Sequence, residues 1–190
     1  MGFFSFFSKN DSVKDDAQKE ADLELFAPVS GEMIPISDVP DLVISEKLIG
    51  DGIGIIPDDS EILAPCSGMI SRLTATNNAF AIKTELGVEI YVTFGIGNHR
   101  FKGEGLTPKV NLGTQVNRGD PVISIDFNKV SEHLESTVTS MIVVNSSARI
   151  ARVISITGKA LAGKTACTWV ILKDPEESDS GEVQKSSSDK

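Results

Sequence analysis

The feature that most constrains this chain is its punctuation. Short runs of Val, Ile, Thr and Phe are broken by Gly, Pro, Asn or Asp about every 8–12 residues, and helical periodicity is scarce. Such spacing leaves room for strands and tight turns but not for a helical core. It predicts an all-β fold, an antiparallel sandwich/barrel hybrid with a few short helical turns. A faint duplication sharpens the expectation: Ala27-Pro28-Val29-Ser30-Gly31 is echoed by Ala64-Pro65-Cys66-Ser67-Gly68, and each copy turns into a β-branched run. Only two copies occur, so the pattern implies two related halves of one fold rather than a solenoid.

Strands are expected near Leu23–Ala27, Gly31–Pro35, Gly52–Pro57, Glu61–Leu63, Gly68–Leu73, Ala79–Thr84, Val88–Phe94, Gln115–Val116, Pro121–Ile125, Thr137–Val144, Arg149–Ile156 and Thr168–Leu172. Phe127, Val130 and Leu134 keep helical spacing, which predicts a short helix around Asn128–Glu135. Asn117-Arg118-Gly119-Asp120-Pro121 reads as a tight turn, because Gly accepts positive φ and Pro is excluded from a central strand. Val116-x-x-Gly-Asp-Pro-Val-Ile resembles the turn of biotinyl and lipoyl domains, but neither cofactor-bearing hairpin motif is present.

Composition separates the ends from the middle. Residues 1–21 mix Lys, Asp, Ser and Gln after a Phe-rich start and read as a flexible tail. Residues 22–174 carry the β pattern and form one domain. Residues 175–190 hold no aromatic residue and are acidic, the composition of a disordered tail. A net charge of −9 with no basic stripe argues against nucleic-acid binding. No run approaches the roughly 20 apolar residues needed to cross a bilayer. Phe3, Phe4, Phe6 and Phe7, followed by Lys9 and Lys14, leave two readings: a frayed tail or a weak interfacial anchor. Cys66 and Cys167 read as reduced, buried thiols, and no spacing suggests a metal site.

One motif invites a wrong reading. Gly158–Thr165, GKALAGKT, matches the phosphate-loop pattern letter for letter. That loop works by leading from a strand into a helix whose amides face the phosphates. Here a strand-like run, Ala-Cys-Thr-Trp-Val-Ile-Leu, follows instead. A hairpin turn is the expectation.

The stretch Thr76–Leu106 carries Thr76-Asn77-x-Ala79-Phe80, Gly87-Val88-Glu89, Phe94-Gly95-Ile96 and Lys102-Gly103-Glu104-Gly105. With Asp38-Val-Pro-Asp41, Glu46-Lys47-x-x-Gly50-Asp51-Gly52, the two Ala-Pro-x-Ser-Gly copies and Gly119-Asp120-x-Val122, these motifs resemble the glucose-type enzyme IIA of the bacterial sugar phosphotransferase system. The resemblance spans nearly the whole core. It implies a hybrid β-sandwich and a phosphoryl relay from a carrier, HPr, to a sugar permease. It also implies two active-site histidines, and this sequence has Asn78 where the family has its phosphoryl acceptor and Thr93 where it has the second one.

Asn and Thr cannot replace that chemistry. An amide nitrogen has its lone pair delocalised into the carbonyl, and a Thr hydroxyl needs a base before it can attack phosphorus. Both are also poor zinc ligands, so no metal and no cofactor are expected. The resemblance further places Gly97 and Arg100 where the family has acids that receive the basic carrier, while Asp41 is retained. Thr76, Gly97, His99 and Arg100 are candidate rim residues. Val39, Leu42, Val43 and Ile44 are expected to form an exposed apolar rim, and Phe80 and Phe94 an aromatic floor, with Phe94 and Ile96 also core candidates. His133 reads as solvated.

The functional expectation is a non-phosphorylatable paralogue that acts as a binding or regulatory module in carbohydrate uptake, and so leans away from an enzyme. Its partner would be an HPr-like carrier, a permease or a regulated protein. Its setting would be the cytoplasm, with peripheral contact at the inner membrane face as an option. One alternative is an active phosphocarrier with a relocated acceptor such as His99. Another is a relative of lysostaphin-type zinc peptidases, which need an His-x-His pair absent here.

Overall fold

The computed structural model describes residues 9–97, 101–130, 134–146 and 149–174. Its strands form three antiparallel sheets, none closed into a barrel. The largest has eight strands, ordered β13 (Gly158–Ala160), β2 (Gly31–Pro35), β3 (Gly50–Pro57), β11 (Leu134–Val144), β7 (Glu89–Gly97), β6 (Ala79–Lys83), β5 (Gly68–Leu73) and β9 (Gln115–Val116). A second sheet joins β1 (Leu23–Phe26), β14 (Ala166–Leu172) and β12 (Ile150–Ser155). The third joins β4 (Glu61–Leu63), β10 (Pro121–Ile125) and β8 (Leu106–Pro108).

The duplication is the organising device. Each Ala-Pro corner carries the chain from a small sheet into the large one, β1 to β2 and β4 to β5. The corners bond to one another reciprocally: Phe26 N donates to Pro65 O at 3.0 Å, and Leu63 N to Pro28 O at 2.7 Å. Each alanine also brackets a glycine turn. Gly163 N donates to Ala27 O and Gly119 N to Ala64 O, both at 2.8 Å. Gly31 and Gly68 end the corners at φ +150° and +158°, where a Cβ would collide with the carbonyl oxygens of Ile56 and Lys83. Only glycine permits that approach.

The phosphate-loop match therefore has a structural account: its Gly163 turn is the counterpart of the Gly119 turn. β14 follows it, not a helix. It is not a hairpin either, contrary to expectation. β13 pairs with β2, whereas β14 pairs with β1 and β12, because the turn carries the chain between sheets.

Strict alternation along β7 shows where the core sits. Ile90, Val92 and Phe94 are buried between the large sheet and the small ones, while Tyr91 and Thr93 face outward. Phe94 meets Phe127 edge-on, with ring centroids 6.3 Å apart. The outer face of the large sheet has its own cover. Ile36, Val39, Ile44, Val138 and Ile142 form a second cluster, with Tyr91 and Ile96 packed against it. Cys66 and Cys167 are both buried and free, and burial pushes each thiol up to about 12.

Helices are short except at the start. Within the segment read as a flexible tail, α1 (Lys9–Glu20) forms and buries Ala17 in a cluster with Ala166 and Trp169. Residues 1–8 and 175–190 lie outside the described residues. The helix expected to reach Glu135 is cut back: α3 is Phe127–Val130, and Leu134 already belongs to β11. Leu134 pairs with Gly97, so ladder bonding overrides the helical spacing. β8 and β13, three residues each, were not foreseen; both are too short to show a period.

Candidate functional site

Asn78 and Thr93, far apart in sequence, meet at the open end of the β6–β7 hairpin. Ala79 pairs with Thr93, and Phe94 N donates to Asn78 O at 2.7 Å. Thr93 also pairs with Ser140 on β11, which seats it in the middle of the large sheet. Both residues are half-buried.

The turn before β6 holds Asn78 in one orientation. Asn77 takes φ +56°, a conformation Asn tolerates, and its N–H closes on Thr74 O at 3.0 Å. Thr76 Oγ1 donates to Asn78 Oδ1 at 2.6 Å, and Thr74 Oγ1 lies 3.0 Å from the same oxygen. The amide oxygen is thus occupied, and Nδ2 makes no hydrogen bond among the described residues. A second turn braces the first. Gly103, at φ +90°, lies so close to Thr76 that a Cβ would strike the Thr76 carbonyl oxygen. Lys102 N donates to Glu104 Oε2 at 3.0 Å and tightens that turn.

Beside this pair lies α2 (Leu42–Ser45). Asp41 is its N-cap, accepting from Val43 N at 2.9 Å and Ile44 N at 3.1 Å, so its local role is to start this helix. Leu42 is 78% exposed and Val43 46%, and Leu48 adds a third apolar side chain at 68%. Leu48 escaped the sequence reading because it sits inside a motif otherwise read as frame. Lys47, at φ +55°, turns the chain there, and Leu48 N donates to Val43 O.

Three expectations need correction. Ile44 is 7% exposed and Val39 3%, so neither can form a rim. Both pack with Tyr91 and Ile96 on β7, two residues that flank Thr93. The cause is the second cluster: residues 36–44 must cover the outer face of the large sheet, and these two side chains do so. Phe80 is also fully buried, because β6 is covered on both faces, so it supports the site from the core and cannot touch a partner. Gly97 is exposed at the end of β7. His99, Arg100 and His133 lie outside the described residues.

Chemically, the described part of this site offers an amide and hydroxyl groups. These can donate to and accept from a partner, but they include no imidazole and no thiol. Tyr91 beside it is raised above the ordinary phenol range by burial, with the Arg72 charge pulling the other way. Among the described residues no group of three or more His, Cys, Asp or Glu could hold a metal.

Residues 23–149 match the family model for the phosphoenolpyruvate-dependent sugar phosphotransferase system, EIIA 1. A glucose-specific EIIA component of that system from Borreliella burgdorferi is 41% identical over 146 residues, covering 77% of this chain and 72% of that protein. The corresponding component from Haemophilus influenzae is 37% identical over 147 residues, with 77% and 88% covered. Among solved structures, glucose permease IIA from Mycoplasma capricolum superposes with a TM-score of 0.70 at 29% identity, over 77% of this chain and 94% of that one.

Proposed function

The chain belongs to the EIIA 1 family of the phosphoenolpyruvate-dependent sugar phosphotransferase system, and from that premise we propose that it is a non-phosphorylatable paralogue, a binding or regulatory module in carbohydrate uptake. One observation carries the reading. Asn78 and Thr93 are neighbours across β6 and β7, in the positions the resemblance assigns to the phosphoryl acceptor and the second His. Neither side chain offers a lone pair able to attack phosphorus at neutral pH. What remains is a recognition surface: exposed Leu42, Val43 and Leu48 beside the Asn78–Thr93 pair. Its proposed partners are an HPr-like carrier, a permease or a regulated protein. A weak peripheral contact with the inner membrane face through Phe3, Phe4, Phe6 and Phe7 belongs to the same proposal. No helix among the described residues is long and apolar enough to cross a membrane.

The test is direct. The protein is incubated with phosphoenolpyruvate, enzyme I and HPr, and its intact mass is recorded. No phosphoryl gain is expected. Near-stoichiometric gain would overturn the reading, and its loss in His99→Ala would assign the acceptor to His99.

A further inference from the structure

An open groove of about 970 Å³ lies at the turn end of the β6–β7 hairpin, opposite to Asn78 and Thr93. Leu23 and Phe26 of β1 line one side, and Met69, Leu86 and Val116 the other. Each side includes a sheet edge: β1 ends the three-stranded sheet, and β9, which carries Val116, ends the eight-stranded one. Met69 and Leu86 are 39% and 43% exposed, two long apolar side chains left uncovered in one depression. At the mouth, the Arg118 guanidinium lies 4.0 Å over the Phe26 ring, a planar cation of the kind that stacks on aromatic faces.

We propose that this groove receives the chain's own aromatic N-terminal segment, Phe3, Phe4, Phe6 and Phe7. The course of α1 supports that occupant. Its last residue, Glu20, pairs with Arg152 at 2.7 Å, and Arg152 stands opposite Ile171 near the end of β14. Three residues earlier, Ala17 is packed in the cluster that contains Ala166, Trp169 and Phe26. Ala166 is the ladder partner of Phe26. Followed backwards, α1 therefore runs toward the Phe26 end of β1, the end where Arg118 stacks. Phe26 belongs both to the cluster beneath α1 and to the groove wall.

Length permits the return. The helix from Ala17 back to Lys9 rises about 12 Å. The eight residues before it span up to about 26 Å when extended. Composition selects the same segment. Four of the chain's nine Phe residues lie in it, whereas residues 175–190 hold Val183 as their one large aliphatic side chain and no ring. Rings seated in the groove are withheld from a lipid surface, so the membrane contact proposed above is made only by chains whose groove is vacant.

The test attaches a nitroxide to Ser5→Cys in the ¹⁵N-labelled full chain. Cys66 and Cys167 are buried and stay unlabelled. The expected result is loss of the Met69, Leu86 and Arg118 amide signals, with the Leu48 signal kept. Leu86→Glu, at an exposed turn position, should restore them. Unchanged groove signals, or loss that persists in Leu86→Glu, would overturn the proposal. Loss seen only when nitroxide-bearing unlabelled chains are mixed with ¹⁵N chains would assign the groove to a second copy instead. Loss from a nitroxide at Ser180→Cys, without loss from Ser5→Cys, would assign it to the C-terminal segment.

Discussion

At the scale of single residues, two hydroxyls show how differently the same group can sit in this sheet. Thr93 faces outward and half-buried; Thr139, on the neighbouring β11, lies in the core against Phe94 and Ile55, and its Oγ1 has no hydrogen-bond partner among the described residues. A buried unpaired hydroxyl costs about 1–3 kcal/mol. Thr139→Val keeps the shape and removes that cost. It should raise the free energy of unfolding by about 1 kcal/mol in urea titration; a loss of stability would mean that the hydroxyl has a partner after all. Restoring Asn78→His with Thr93→His should place two imidazoles on adjacent strands, since the backbone bond that closes the Thr74–Asn77 turn and the ladder remain. Phosphotransfer from HPr should then be slow at best if Gly97 and Arg100 stand, as the resemblance implies, where the family has acids that attract a basic carrier. Transfer as fast as that of a glucose-specific relative would show those rim residues to be immaterial. Asn78 and Thr93 were legible from the sequence as types, yet not the fixed amide, since its Oδ1 is set by Thr74 and Thr76 in three dimensions.

Elements were read well where the period is long and badly where an element is short or shared. β3, β5, β6 and β7 lie within a few residues of their expected bounds, because each carries several residues of alternating or β-branched pattern. The sequence puts Val39, Leu42, Val43 and Ile44 in one apolar rim, although this segment has two sides. The structure separates them: Val39 and Ile44 face the sheet, and Leu42, Val43 and Leu48 face away. Four residues of helix are too few to reveal that division from spacing alone. Substitution should expose it. Val43→Asp should change unfolding free energy by no more than about 0.5 kcal/mol and weaken partner capture by about 2 kcal/mol. Ile44→Asp should instead cost about 3 kcal/mol or more of folding stability, because it buries a carboxylate without a partner. Calorimetric melting of both variants, with capture measured on the first, decides the matter. Equal melting losses would mean that α2 has no outward side.

For the whole molecule, the two sheet layers bury both thiols, and this links stability to alkaline pH. Folding holds Cys66 and Cys167 neutral, raising each from 9.0 to about 12. The associated stabilisation is complete below pH 9 and is lost as pH rises from there toward 12. Urea midpoints should therefore fall across that window, and fall less in Cys66→Ala with Cys167→Ala; identical slopes would remove the thiols from the account. Much of the whole was determined by sequence alone. The Gly and Pro punctuation required strands, the paired Ala-Pro-x-Ser-Gly corners implied two related halves, and the motifs around Thr76–Leu106 implied the family. These are local properties, written in residue type and spacing. Only the tertiary structure decided that the corners clasp each other through Phe26 and Leu63, that GKALAGKT is the counterpart of the Gly119 turn, and that Ile44 and Phe80 are interior. The reason is physical: which face of a short apolar run is buried depends on the layer that covers it, and that layer is built by residues distant in the chain.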